Sequence, residues 1–286
     1  MSNVYAEVIG DPIAHSKSPL IHNFWLEKLR LPGHYERCHI KADALPAYLA
    51  ERRTDPQWRG CNVTIPHKQA VLPLLDRIDT AAETIGAVNT IRRESGGNLT
   101  GFNTDFSGFL EPLRDELGKR HLYRMARIIG SGGAARAIAH ALAGEGFTIA
   151  IIARDQEKAH ALLREVDPVA SESMLASLAS WAQPIDFPWN DRSGVLDLVV
   201  NATSLGMSGK PPLDIHFSHI PAGAIVYDIV YAPLETRLLA EALAHGLRTV
   251  DGLSMLIGQA AEAFTHFFGH QPPREYDAEL RAKLTA

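Results

Sequence analysis

The chain has 286 residues, 46% of them hydrophobic and 21% charged, with a formal net charge of −5 at pH 7. That length suits about two domains and a core that needs no disulfide or metal staple. The acidic balance argues against a nucleic-acid or membrane-surface partner, and Cys38 and Cys61, with no CxxC spacing, exclude a disulfide framework and a cysteine-rich zinc module. The opening residues lack a charged-then-apolar signal pattern, and no apolar run approaches the roughly 18 residues of a membrane span. The expected setting is soluble and cytoplasmic, with no membrane partner.

In chain order, residues 5–9 read as a strand and residues 19–29 as an amphipathic helix, with Leu20, Ile21, Phe24, Trp25 and Leu29 at helical spacing. Residues 60–65 read as a second strand, ended by Pro66. Residues 87–105 read as a hairpin around a Ser95-Gly96-Gly97-Asn98 turn. A different pattern begins near residue 127. Short apolar runs at 127–129, 147–153, 196–201 and 224–230 alternate with helical stretches, the first an Ala-rich helix over 134–143. Such runs suit a parallel sheet buried on both faces, with crossover helices. Residues 181–194 are polar with two prolines and read as a surface loop. The last helices, from Ser254 onward, have no strand after them and fit a return to the first half. The fold class expected is α/β.

Gly130-Ser131-Gly132-Gly133-Ala134-Ala135 fits G-x-G-x-x-(G/A) between a strand and a helix. Gly130 permits a tight turn, Gly132 lets the backbone approach a pyrophosphate, and Ala135 lets the helix pack close to the strand. The helix N-terminus offers free N–H groups to the anion. A plain glycine turn is the other reading; the strand–loop–helix–strand context favours a dinucleotide. The next strand ends at Ala153-Arg154-Asp155, with Lys158 one turn on. An acid at the strand end would suit the ribose hydroxyls of NAD, whereas Arg154 and Lys158 suit the 2′-phosphate of NADP. Both basic residues also fit a solvated surface.

The first half carries a polar constellation. Pro19 suits the first helical position, which makes Ser18 the expected N-cap; Ser16 and Ser18 then form a seat for a carboxylate. After Asn62-Val63-Thr64-Ile65-Pro66-His67, Lys68 is expected in a first helical turn, where a cation opposes the macrodipole and hints at function. Asp105 follows the hairpin and suits either a helix cap or an acid–base role. A Lys–Asp pair would suit proton transfer to a carbonyl oxygen under hydride attack. Spacing alone does not bring Lys68 to Asp105. The 13 histidines show no metal-ligand spacing, so no metal site is expected.

With these segments in view, the chain resembles the shikimate dehydrogenase family over nearly its whole length. The resemblance is carried by Ser16-Lys17-Ser18-Pro19 with His22-Asn23, the run from Asn62 to Lys68, Gly86-Ala87-Val88-Asn89-Thr90 and Gly101-Phe102-Asn103-Thr104-Asp105. In the second half it is carried by the glycine loop, Asn201-Ala202-Thr203-Ser204-Leu205-Gly206-Met207, Asp228-Ile229-Val230-Tyr231-Ala232-Pro233 with Thr236, and the run from Gly252 to Gln259.

The resemblance implies NADPH-dependent reduction of 3-dehydroshikimate to shikimate. It implies a catalytic pair at Lys68 and Asp105. It implies substrate contacts at Ser16, Ser18, Thr64, Asn89, Tyr231 and Gln259, besides that pair. Cofactor contacts are implied at Gly130, Ser131, Gly132, Gly133, Ala134, Ala153, Arg154, Asp155, Lys158, Thr203, Ile229, Gly252 and Met255. The implied architecture is two α/β domains with a cleft between them. Residues 1–107, completed by 252–286, form the substrate-binding domain, and residues 108–251 form a Rossmann-like NADP domain. The sequence departs from the family where Asn-Arg-Thr is usual and Ala153-Arg154-Asp155 stands, which keeps NAD open as cofactor. The loop over 181–194 is longer than the family pattern. Two alternatives follow: an NAD-linked quinate/shikimate dehydrogenase, and a non-catalytic metabolite or nucleotide sensor on the same fold. A small-molecule substrate is expected, no nucleic acid, and either a monomer or a homodimer.

Overall fold

The computed structural model describes residues 4–189 and 192–286. The chain forms two compact units, one ending at Gly108 and resuming at Ile257, the other spanning Phe109–Leu256. The second break falls inside the helix Gly252–Phe268 rather than at residues 251/252.

The first unit holds a six-stranded sheet. Its strands are β1 (Tyr5–Gly10), β2 (His34–His39), β3 (Trp58–Val63), β4 (Arg77–Ile78), β5 (Thr90–Arg93) and β6 (Leu99–Phe102), in the order β2-β1-β3-β5-β6-β4. β2, β1 and β3 are parallel; β5 and β6 form an antiparallel hairpin against β3; β4 runs parallel to β6 at the edge. The pleat alternation divides the side chains of β1. Ala6 and Val8 pack with Tyr35, Ala263 and Phe267, while Ile9 packs with Leu45, Leu49 and Trp58. Glu7 is fully buried. The Tyr48 hydroxyl donates to its Oε2, and Arg52 reaches Oε1 at 3.0 Å. Burial pushes the Glu7 carboxyl up, and Tyr48 and Arg52 pull against that shift.

The helix expected over 19–29 is Ser18–Leu29 and buries Ile21, Phe24, Trp25 and Leu26. Its N-cap is Lys17, not Ser18, which is already the first helical residue. The backbone N–H of Ser18 instead donates to Ser16 Oγ at 3.3 Å. Lys68 is not in a helix either. It lies in a run of turns after β3, ahead of a 3-10 turn over Leu72–Leu74. β2 was not anticipated, because in His34–His39 only Tyr35 is buried and the strand shows no apolar alternation.

The second unit holds a parallel sheet of β7 (Tyr123–Ile129), β8 (Thr148–Ala153), β9 (Leu175–Ser177), β10 (Val195–Asn201), β11 (Ile225–Asp228) and β12 (Arg248–Val250). The order is β12-β11-β10-β7-β8-β9. The chain steps outward from β7 through β8 to β9, returns to β10 beside β7, then steps outward the other way. This is the doubly wound order, with its switch point between β7 and β10, where ligands collect outside the carboxyl ends of the strands. The buried residues Ile128, Ile129, Ile151, Ile152, Leu198, Val199, Val200 and Val226 fill the sheet's interior.

The segment expected as a surface loop over 181–194 begins at buried Trp181, the end of the helix Leu178–Trp181. Residues 183–188 are exposed, and positions 190 and 191 lie outside the described residues. Trp189 ties the segment down. Its indole donates to the Ser218 carbonyl at 2.9 Å, and the Arg127 guanidinium stacks over its ring at 5.0 Å. Among the described residues, no helix is long and apolar enough to cross a membrane.

Candidate active site

The polar residues of the first unit gather where β1 and β3 end. Asp11 N–H donates to the Ile65 carbonyl and Thr64 N–H to the Ile9 carbonyl, both at 3.0 Å, so the two outgoing loops are laced together. Ser16 and Ser18 sit in the first of these loops, with their hydroxyls 3.2 Å apart. Arg37 donates to the Ser16 carbonyl and fixes that turn. Thr64, half-buried, opens the second loop, and its methyl would collide with a Cβ at Gly10, 2.5 Å away.

Lys68 and Asp105 meet. The Lys68 ammonium lies 2.5 Å from Asp105 Oδ2, with the two side chains 18% and 10% exposed. Withdrawal from water strengthens such a pair without sealing it from a ligand. The other carboxylate oxygen, Oδ1, accepts from Asn89 Nδ2 at 2.9 Å. Asp105 begins the helix Asp105–Leu110. Asn103 Oδ1 accepts the Asp105 backbone N–H at 3.1 Å, so the Asp105 carboxylate is free of capping duty. Asn89 is in turn held by Thr104, whose backbone N–H donates to Asn89 Oδ1 at 2.8 Å. Gln259 is buried in the helix Gly252–Phe268. Its backbone lies so near Gly108 that a Cβ there would stand 2.5 Å from Gln259 N.

Sequence reasoning missed Asn62, Thr90, Asn103 and Thr104, all buried and hydrogen-bonded around Asn89 and Asp105. One signal was available: buried polar side chains must find partners, and a cluster of them at strand ends marks a network.

The second unit assembles its own group at the carboxyl ends of β7, β8, β10, β11 and β12. Gly130 has φ +123°, and a Cβ there would crowd the Ala202 carbonyl and the Thr203 methyl at 3.1 Å. Gly132 caps the helix Gly133–Gly144 with ordinary φ (−87°) and no side-chain cap. A Cβ on Gly132 would meet no protein atom within 4 Å. The fold itself therefore does not demand glycine there; a pyrophosphate lying against the backbone would. The residues thus fit a dinucleotide. Ser131, Gly133 and Ala134 complete the loop. Thr203 Oγ1 donates to Asn201 Oδ1 at 2.7 Å. Asn201 Nδ2 donates to the buried Asp228 at 2.9 Å. Burial pushes the Asp228 carboxyl up, against Thr236, the Val230 N–H and Asn201. Gly252 is obligatory, since a Cβ would stand 2.2 Å from the Ile229 carbonyl. Met255 is buried and Tyr231 half-buried.

At the end of β8, buried Ala153 leads to exposed Arg154. Asp155 is the N-cap of the helix Gln156–Val166, and its Oδ1 accepts the Lys158 backbone N–H at 3.1 Å. The Lys158 ammonium lies 3.1 Å from its Oδ2. The Lys158 backbone N–H, then its side chain, hold the Asp155 carboxyl below its usual range. The acid at this position therefore faces its own helix and carries a counter-charge.

A doubly wound sheet with a glycine loop at its switch point, and an α/β unit carrying a half-buried ammonium–carboxylate pair, define a two-domain nucleotide-linked dehydrogenase. The shikimate dehydrogenase substrate binding domain matches residues 8–91, and the shikimate 5′-dehydrogenase C-terminal domain matches residues 252–279. The chain is 51% identical to a shikimate dehydrogenase (NADP(+)) of Sphingopyxis alaskensis, over 99% of this chain and 97% of that one. It is 43% identical to the corresponding protein of Methylobacterium radiotolerans, over 98% and 96%. The crystal structure of shikimate 5-dehydrogenase from Thermus thermophilus, in complex with NADP(H) and shikimate, superposes with a TM-score of 0.80 at 36% identity, over 98% of this chain and 99% of that one. The chain belongs to the shikimate dehydrogenase family.

Proposed function

We propose that this chain catalyses the reversible NADPH-dependent reduction of 3-dehydroshikimate to shikimate, a step toward chorismate and the aromatic amino acids. The observation that carries the reading is the Lys68–Asp105 pair, braced by Asn89. The first unit takes the substrate and the second the dinucleotide. The Ser16 and Ser18 hydroxyls hold the substrate carboxylate, and Thr64, Asn89, Gln259 and Tyr231 take its carboxylate or hydroxyls. NADPH, when bound, supplies the hydride. Lys68 donates a proton to the carbonyl oxygen as it becomes an alcohol, and Asp105 keeps the ammonium aimed. In the reverse direction Lys68 accepts that proton.

On the second unit, N–H groups of the loop from Gly130 to Ala134 meet the pyrophosphate, and Arg154 meets the 2′-phosphate with a planar fork of donors. Ala153, Thr203, Ile229, Gly252 and Met255 line the dinucleotide. The NAD-linked quinate/shikimate alternative drew its support from Asp155. That carboxylate is engaged with Lys158 and its own helix, which supports NADPH. The intact Lys68–Asp105 pair supports catalysis over sensing.

The test follows NADPH oxidation by 3-dehydroshikimate. General acid–base groups contribute about 10²–10⁴-fold, so Lys68→Ala lowers kcat within that range with KM little changed. A folded Lys68→Ala protein with full kcat would contradict the mechanism.

A further inference from the structure

Behind Asp105 lies a buried chain of hydrogen bonds in which the sense of the Asn89 amide is fixed by a backbone N–H. The Thr104 backbone N–H can only donate, and it meets Asn89 Oδ1 at 2.8 Å. The sense of the Asn89 amide is therefore settled, and its Nδ2 faces Asp105 Oδ1 at 2.9 Å. The Thr90 hydroxyl lies 3.0 Å from the same Asn89 Oδ1, to which it donates. On its other side Thr90 Oγ1 accepts from Asn62 Nδ2 at 3.0 Å. Asn62 is set by Tyr35, whose hydroxyl donates to Asn62 Oδ1 at 2.6 Å. Every donor from Tyr35 through Asn62, Thr90 and Asn89 thus points toward the Asp105 carboxylate. Tyr35, Asn62, Thr90, Asn89 and Asp105 are each under 9% exposed, and Thr90 is at 0%. Away from water, hydrogen bonds in series polarise one another in the same sense.

Resting on the function proposed above, we propose that the Thr90 hydroxyl is a positioning group for the Lys68–Asp105 pair. It touches neither member of the pair. It receives the Asn62 donor and passes one donor on to Asn89, and so locks the amide that presents Nδ2 to Asp105. A second hydroxyl, Thr104 Oγ1, lies 3.3 Å from Thr90 Oγ1 and 3.0 Å from Asn89 Nδ2, and closes the ring around the amide. Removing the Thr90 hydroxyl leaves Asn62 Nδ2 with only the longer bond to the Asn89 backbone carbonyl, at 3.3 Å, and Asn89 Oδ1 with one donor fewer. The Asn89 amide, still held by Thr104, is then less tightly fixed, and Asp105 is held less firmly in its orientation toward Lys68. The carboxylate seat at Ser16 and Ser18 is not in this chain, so the loss falls mainly on turnover, with a smaller part on KM through the Asn89 contact with substrate.

The test compares Thr90→Val, which keeps the shape and removes the hydroxyl, with Thr90→Ser, which keeps the hydroxyl. We expect Thr90→Val to lose roughly tenfold in kcat with KM for 3-dehydroshikimate held within about twofold, and Thr90→Ser to restore most of it. In an Asp105→Asn background, Thr90→Val costs little more, because both changes act through the same carboxylate. If Thr90→Val does not fold, Thr90→Ala is compared with Thr90→Ser in the same way. Wild-type kcat in a folded Thr90→Val or Thr90→Ala protein would overturn the inference. So would failure of Thr90→Ser to recover, or a full independent loss in the Asp105→Asn background. A wild-type chain that does not reduce 3-dehydroshikimate at all would instead overturn the functional reading.

Discussion

Asp155 occupies the position where the family usually has a hydroxyl, and its geometry decides how much that departure matters. An acid turned toward a 2′-phosphate would repel about −1.5 to −2 charges. Turned to its own helix and paired with Lys158, it leaves Arg154 exposed and unopposed. A charge-assisted hydrogen bond contributes roughly 1.5–3 kcal/mol, so Arg154→Ala should cut kcat/KM for NADPH by about 10- to 150-fold. It should leave the value for NADH nearly unchanged, since NADH has no phosphate to lose. Equal falls for both cofactors would move Arg154's role to the adenine or the fold. Ser16 and Ser18 make a second residue-scale test. Each should weaken shikimate binding by roughly 1.5–3 kcal/mol when changed to Ala, the worth of a bond to a carboxylate. Ser18 is not the helix cap, so Ser18→Ala should leave the melting temperature close to wild type. Normal shikimate affinity in both variants would remove the carboxylate seat.

At the scale of elements, the helix Ser18–Leu29 carries a buried titratable group. His22 is fully buried and stacks on Tyr35 with ring centroids 4.0 Å apart, and neither ring nitrogen has a hydrogen-bond partner. Burial pushes the imidazole down to about 3 from 6.5. The unfolded chain takes up a proton as pH falls below 6.5, and the folded chain does not until about 3. The stabilisation is therefore complete above 6.5 and is lost as pH falls through that window, at about 1.4 kcal/mol per unit. Urea unfolding at about pH 6.5 and about pH 5 should show about 2 kcal/mol lost from this group, and His22→Phe should flatten that slope. An unchanged slope in His22→Phe would mean His22 titrates normally. The glycine loop gives a backbone test. Gly130 at φ +123° should tolerate alanine badly, at a cost of about 1–3 kcal/mol, seen as a lower urea midpoint.

Legibility in the sequence followed burial. β8 and β10, closed in on both faces, announce themselves as apolar runs. β7 shows only its last residues, because Tyr123 is exposed and Arg124 and Met125 are half-buried. β2 was silent, since an edge strand with one buried side chain has no pattern to show. The candidate site divided in the same way. Motif segments pointed to Lys68, Asn89 and Asp105, but their meeting depends on the hairpin of β5 and β6, which no local spacing encodes. The N-cap of Ser18–Leu29 differs by one residue from the expected Ser18 because the cap is Lys17, whose side chain makes no capping bond and so leaves no signal in the sequence.

At the scale of the whole molecule, two sheets of different design divide the labour proposed for them. The mixed sheet of the first unit brings Ser16, Ser18, Thr64, Lys68, Asn89 and Asp105 to loops beyond β1, β3 and the β5–β6 hairpin. The doubly wound sheet of the second unit brings the glycine loop, Thr203, Ile229 and Gly252 to the carboxyl ends of its strands. The central claim joins the two: this chain interconverts 3-dehydroshikimate and shikimate with NADP(H). The most direct measurement is a set of initial rates with shikimate and with quinate, each with NADP+ and with NAD+. The account predicts the highest kcat/KM for shikimate with NADP+, with the preference for NADP+ over NAD+ lost in Arg154→Ala. A higher kcat/KM with NAD+, or with quinate, would contradict it.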